Sequence, residues 1–216
     1  SALEVNKAKY DSDLSIVGST FTLRFDTDKS NFNLFNEFFS LHGTPRVGQT
    51  IVFEFFGDCL IYSVDTTRPA LETGTGWPAG VIPLVEFKDT ARVYGCGGAG
   101  GRGGSFPPNL RTSDVSQLAG EKGGTGGLAM LLQSPLRVKF NPATLIRGGG
   151  GGGGGSAACW GETFSTGLRG VSGGGGGGGY PFGAPGAPGA HPTAYKEGGA
   201  GTAGTRTSAG VGALEV

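Results

Sequence analysis

No stretch of this chain reaches the roughly 18 apolar residues that a membrane-crossing helix needs, and no leader-like segment opens it. Histidine is scarce. His42 and His191 are the only two, and neither stands in a Gly-x-Ser-x-Gly, His-Glu-x-x-His or Cys-His setting. Cys59, Cys96 and Cys159 are widely spaced and form no Cys-x-x-Cys pair, so neither a zinc site nor a disulfide framework is on offer. Net charge is lacking too: 17 basic residues balance 17 acidic ones, and no overall field draws the chain to nucleic acid or anionic lipid. The split between residues 1–94 (net −4) and 95–216 (net +4) is mild and fits ordinary solvated surface. Asp26 with Asp28, and Glu54 with Asp58, read as surface acids, not as paired catalytic carboxylates. These absences lead us to expect no enzyme, no metal, no cofactor, no nucleic-acid partner and no membrane insertion.

What the sequence has in excess is glycine. Of 46 glycines, 39 follow Tyr94, nearly one residue in three. That is the density of collagen, but the strict every-third-residue repeat of collagen is found only in Gly183–His191, too short for a triple helix. Leu, Ile, Val and Phe supply only 19 of the last 122 residues.

Residues 1–94 have a different character. Thr20–Phe25 alternates apolar and polar side chains, as a strand buried on one face does. Further strands are expected in Ile51–Phe56, Leu60–Val64, Val81–Phe87 and Ala91–Tyr94, separated by turn chemistry at Gly43-Thr44-Pro45, Gly57-Asp58 and Gly74-Thr75-Gly76. Leu34, Phe35, Phe38 and Leu41 recur at three- and four-residue spacing, which predicts one short helix over Asn31–Leu41 capped by Ser30 or Asn31. The expectation is a mainly β protein whose first domain, residues 1–94, is β-sandwich-like with one helix.

After Tyr94, glycine-dense segments run at 95–104, 123–127, 148–155, 173–179 and 198–204. Among the stretches between them, Leu136–Phe140 alternates like a strand, while 105–122, 156–172 and 180–197 carry the vocabulary of exposed loops. A disordered tail is one reading. The other is an ordered bundle of polyglycine II helices. Such a helix has three residues per turn and no internal hydrogen bonds, so it can hold only by pairing with neighbours. Low charge content and the strand at Leu136–Phe140 favour order. An eight-residue run would span about 25 Å at about 3.1 Å per residue. The glycine-rich domain is thus placed at 95–212. Ala-Leu-Glu-Val occurs at 2–5 and again at 213–216, and the second copy reads as an appended linker outside the fold.

In this order, the motifs resemble the glycine-rich distal adhesins of phage tail fibres and tail tips. They are Asn31-Phe32-Asn33-Leu34-Phe35, Pro69–Pro78 (PALETGTGWP), Ala91–Gly101 (ARVYGCGGAGG) and a strand at Leu136–Asn141 before the run from Gly148. The resemblance covers about residues 15–204. It implies an extracellular protein of the virion tail, or of similar fibre tips on predatory bacteria. It also implies attachment to the rest of a fibre or tail tip, assembly as a homotrimer, and a bacterial surface receptor, either an outer-membrane protein or a glycan.

For an adhesin of that kind, receptor contacts fall on loops held by the glycine scaffold, with aromatic and Arg side chains as anchors. The candidates are Phe106 and Arg111; Trp160, Phe164 and Arg169; and Tyr180, Phe182, His191 and Tyr195. Each fits equally well as local packing over the slab. Two other readings are weaker. Gly101-Arg102-Gly103-Gly104 is a single unit and too little for RNA binding, and an ice-binding protein would not need the aromatic first domain.

Overall fold

The computed structural model describes residues 18–105, 119–163, 167–190 and 198–213. Two compact units result. One takes in the described residues through Tyr62 together with Ala70–Val93 and Met130–Ile146; the other takes Ser63–Pro69, Tyr94–Ala129 and the described residues from Arg147. The chain leaves the first unit after Tyr62, Val93 and Ile146 and returns to it at Ala70 and Met130.

In the first unit, β1 (Thr20–Phe25), β4 (Thr50–Phe55), β7 (Leu84–Phe87) and β10 (Arg137–Lys139) make one sheet in that order. A second sheet holds β2 (Lys29–Ser30), β5 (Leu60–Tyr62), β8 (Arg92–Tyr94) and β11 (Leu145–Arg147), and a third holds β3 (Phe32–Asn33), β6 (Leu71–Glu72) and β9 (Met130–Leu131). The pairs β1–β4, β4–β7, β7–β10, β2–β5, β3–β6 and β6–β9 are all parallel. The chain therefore visits three sheets in turn and lays each new coil on the last. Mainly β with one helix is as expected. The topology, however, is a three-faced parallel solenoid and not a sandwich, whose sheets are built of antiparallel strands.

Parallel stacking in register repeats the same residue type coil after coil. Phe25, Phe55, Phe87 and Phe140 form a column, with successive ring centroids 5.1, 5.6 and 5.8 Å apart and planes tilted by 24°, 22° and 9°. One residue earlier, on the other face, Arg24, Glu54, Glu86 and Lys139 share a row. Arg24 Nε lies 2.9 Å from Glu54, and Lys139 Nζ lies 2.6 Å from Glu86. Lys88 Nζ donates to Glu54 at 2.8 Å. This hydrogen bond and the Lys88 and Arg24 charges hold the Glu54 carboxyl below the usual glutamate value, against a partial opposing effect of burial.

The helix, α1 (Leu34–His42), lies between β3 and β4 in the chain. Its cap is Asn33, whose Oδ1 accepts from Asn36 N at 2.9 Å, and not Ser30 or Asn31, which lie at the edge of β2 and in the corner after it. Leu34 and Phe38 are buried, whereas Leu41 is exposed. Phe35 meets the PALETGTGWP segment. A Cβ at Gly76 would fall 2.1 Å from its ring, and one at Gly74 (φ +76°) 2.6 Å from its Cβ. Trp77 stands edge-on to Phe35 and donates from Nε1 to Thr73 O at 2.7 Å.

The second unit is built of backbone. Gly95, Gly98, Gly101 and Gly104 donate to Arg147, Gly150, Gly153 and Ser156 at 2.8–2.9 Å. Gly97, Gly100 and Gly103 donate to Pro181, Ala184 and Ala187. Antiparallel to these, Glu121, Gly124 and Gly127 donate to Arg102, Ala99 and Cys96, and Gly173, Gly176 and Gly179 donate to Gly104, Gly101 and Gly98. Every pairing advances by three residues, the register of a helix with three residues per turn. Run 173–179 is buried throughout. It bonds to runs 95–104, 147–156, 181–190, 198–204 and 208–213.

The register reveals a triplet rhythm that composition hides. Positions 96, 99, 102 and 105 carry Cys, Ala, Arg and Ser, while a Cβ at Gly97, Gly98, Gly100, Gly101 or Gly103 between them would fall 1.9–2.1 Å from carbonyl oxygens of neighbouring runs. Gly-Ala-Pro at 183–188 does the reverse, with glycine only in the inward phase. The strict repeat is thus present beyond Gly183–His191. Segment 181–190 is itself a run and not a loop, and Leu136–Phe140 contributes β10 to the solenoid. Ala213 donates to Gly175 O at 3.1 Å and so belongs to the packing from which the linker reading had excluded it.

Two measurements test this architecture. A Cβ at Gly152 would lie 1.9 Å from Ala99 O, but one at Gly151 only 3.6 Å from its nearest neighbour. Calorimetric melting should show Gly152→Ala losing about 1–3 kcal/mol or more, while Gly151→Ala changes stability by no more than about 1 kcal/mol. The lowered Glu54 value makes its contribution full above the ordinary 4.5 and lost as pH falls through the folded-state value. Acid unfolding of wild type should be steeper over that interval than that of Glu54→Gln.

Candidate functional site

The hydrogen-bond registers fix what stands at each end of the second unit. Runs 95–104, 147–156 and 181–190 ascend together, and runs 120–127, 173–179 and 198–204 return antiparallel to them. Ser105, Gly120, Ser156, Ser172, Ala190 and Gly198 consequently gather at one end, opposite the end where runs 95–104 and 147–156 begin. Three connecting segments start and finish at this far end.

The middle segment contains a hairpin, β12 (Cys159–Thr163) paired antiparallel with β13 (Gly167–Val171). Sequence vocabulary had read 156–172 as an open loop, because glycine and single aromatics hide the alternation of a strand. Trp160 lies in β12 opposite Gly170, and Arg169 lies in β13 opposite Gly161. Phe106, Arg111, Phe164, His191 and Tyr195 lie outside the described residues. The described residues flanking the first and third segments stand at the far end.

Tyr180 and Phe182 are placed elsewhere. They form the turn between runs 173–179 and 181–190, at the end where run 95–104 begins. The Tyr180 ring centroid is 5.7 Å from that of Tyr94, and Phe182 takes φ +60°. Because Gly183, Gly186 and Gly189 pack inward, the chain crosses the whole unit between Phe182 and Ala190. That crossing separates these two aromatics from Trp160 and Arg169.

Side chains at the run ends show what sequence reasoning missed. Ser105 Oγ accepts from Ala190 N at 3.2 Å, Ser156 Oγ from Gly174 N at 2.7 Å, and the fully buried Ser172 Oγ from Gly198 N at 2.8 Å. The signal was a serine directly beside a glycine run, easily taken for turn composition.

Asp65 and Cys96, elsewhere in this unit, depart from their ordinary values. Asp65 is held at about 2, first by hydrogen bonds from the Thr67 hydroxyl and amide and then by Arg68. Cys96 is buried, and burial, followed by the Asp65 charge, pushes its thiol up. In the first unit, the buried Cys59 thiol donates to Thr27 O at 3.1 Å. Among the described residues, no three His, Cys, Asp or Glu side chains cluster as a metal site, and no helix is long and apolar enough to cross a membrane. Alkylation mapped by mass spectrometry should leave Cys59 and Cys96 unmodified in the folded chain and modify both after denaturation.

Comparison with known proteins completes the description. Residues 20–214 match the family described as phage tail fibre adhesin Gp38. The chain is similar to the crystal structure of the gp37-gp38 adhesin tip complex of the bacteriophage S16 long tail fiber, with TM-score 0.47 and 23% sequence identity. That similarity covers 91% of this chain and 62% of the other, so the chain spans less than two thirds of its length. No curated protein matches.

Proposed function

We propose how this chain works from one premise: it belongs to the phage tail fibre adhesin Gp38 family. It is a receptor-binding adhesin of the virion tail, and it attaches to a bacterial surface receptor, an outer-membrane protein or a glycan. Attachment requires no bond to be broken, and we read the chain as a binding protein and not an enzyme.

One observation carries the assignment of the recognition face. The stems of three connecting segments stand together at the far end of a hydrogen-bonded glycine scaffold of polyglycine II type. Stems fixed this way leave less freedom to be lost when a receptor is gripped. Trp160, Arg169, Phe106, Arg111, Phe164, His191 and Tyr195 are the anchors; Tyr180 and Phe182, at the opposite end, are not.

The first unit is the seat on the fibre. Its support is the exposure of large apolar side chains on this unit: Phe39, Leu41 and Val47 are 50%, 61% and 61% exposed. The homotrimer belongs to the reading only as an assembly state. Sedimentation showing a monomer would remove it.

Binding of labelled protein to intact bacteria tests the recognition face. Trp160→Ala and Arg169→Ala should each weaken binding about tenfold or more, and replacing Ser156–Ser172 with a relative's segment should change which bacteria are bound. Phe182→Ala should leave binding within about twofold of wild type, since it removes no receptor contact. Full binding by both hairpin variants, with loss in Phe182→Ala, would place recognition at the other end.

A further inference from the structure

We infer that Tyr180 is the register stop of the two runs it joins, 173–179 and 181–190. Hydrogen bonds between runs recur every three residues, and both of these runs repeat with that period. Run 173–179 is all glycine, and 183–188 is Gly-Ala-Pro twice over. Sliding the chain by one turn through the bend between them would set glycine where glycine was and Ala-Pro where Ala-Pro was. The packing that demands glycine therefore carries no information about register. Neighbouring runs have marks of their own. Thr202 Oγ1 accepts from Val211 N at 2.6 Å, and run 147–156 follows directly on β11, which pairs with β8 in one sheet.

Tyr180 supplies what the repeats lack. In its own place the side chain leaves the packed runs and rests against Tyr94, with ring centroids 5.7 Å apart. One turn forward, it would take the place of Gly183, where a Cβ would fall 2.4 Å from Gly98 O. One turn back, it would take that of Gly177, where a Cβ would fall 2.3 Å from Gly210 O. Both approaches are far inside van der Waals contact. Of the other flanking residues, Ser172 meets a carbonyl only on sliding forward, at the place of Gly175, and Phe182 only on sliding back, at that of Gly179. Tyr180 blocks both directions. A slip of one turn would shift the point where the chain enters the packed runs after β13 by three residues, about 9 Å.

The test lengthens the full chain by three glycines between Ser172 and Gly173, which removes the Ser172 block and leaves Tyr180 as the barrier to forward slip. Through-hydrogen-bond couplings in NMR then read the register directly. The Gly153 amide pairs with the Gly177 carbonyl in the native frame and with that of Gly174 after a forward slip. With Tyr180, and with Tyr180→Ala, whose Cβ remains, Gly153 should couple to Gly177 alone. With Tyr180→Gly the slipped pairing should exceed the native one about fivefold, because it alone returns Ser172 to its hydrogen bond with Gly198.

Alanine and glycine both remove the ring, so lost packing against Tyr94 acts on the two alike and cannot produce this contrast. Native pairing in the lengthened Tyr180→Gly chain, or slip in its Tyr180→Ala counterpart, would overturn the inference. Should the lengthened chain not fold, Tyr180→Ala at native length decides. Its Cβ must hold Gly153 to Gly177, and a slipped set of couplings there would overturn the inference equally.

Discussion

Carbonyl oxygens in the second unit occupy the space that a Cβ on the neighbouring run would need. At Gly97, Gly98, Gly100, Gly152, Gly175 and Gly178 the separation would be 1.9–2.0 Å, far inside any tolerable contact. Removing the side chain lets runs approach until each residue in the paired phases can donate to a different neighbour. An isolated run has no internal hydrogen bonds, so no run is stable by itself. The interior is therefore cooperative in a way that a side-chain core is not, since one methyl group in the wrong phase separates two runs along their length.

The solenoid of the first unit meets the same need, stacking extended chain on extended chain, by the opposite means. There the repeat is in side chains: a column of phenylalanines, buried at Phe25, Phe55 and Phe87 and exposed at Phe140, and a row on the other face in which Arg24 and Lys139 flank Glu54 and Glu86, both imposed by parallel in-register pairing. Loss of one ring is a local cavity and loss of one charge a local mispairing. An insertion is tolerated between coils, because the strand that resumes afterwards needs only to find the edge left open. Residues 95–129 use that tolerance: the chain departs after β8 and resumes at β9.

For recognition, a backbone scaffold has a specific use. Its runs are short and reverse direction repeatedly, so several connecting segments emerge side by side. Glycine is required in the inward phase, and on the proposed reading the segments outside the lattice can change binding specificity without disturbing the support. Serine at the boundary belongs to both regimes, small enough for the packed runs and able to hold an amide that the lattice has ceased to pair.

Local pattern determined a good deal. Alternation at Thr20–Phe25, the three- and four-residue spacing of Leu34 and Phe38, and the glycine density after Tyr94 are short-range properties that sterics convert directly into strand, helix and bare-backbone run. The order of the motifs by itself resembles that of tail-fibre adhesins. Pairing partners were not legible in the same way. Whether neighbouring strands run parallel depends on where the chain returns, and the recurrence of Phe25, Phe55, Phe87 and Phe140 is spread over intervals of 30, 32 and 53 residues, the last of which holds an insertion. Two-residue strands such as Phe32–Asn33 have too few residues to show a period at all. Gly183–Ala190 looked like loop because glycine and proline mark turns in side-chain proteins, whereas here the inward phase alone decides. Direction of travel, and with it the separation of Tyr180 and Phe182 from Trp160 and Arg169, was settled only by the three-residue hydrogen-bond register between runs, a contact between segments far apart in the chain.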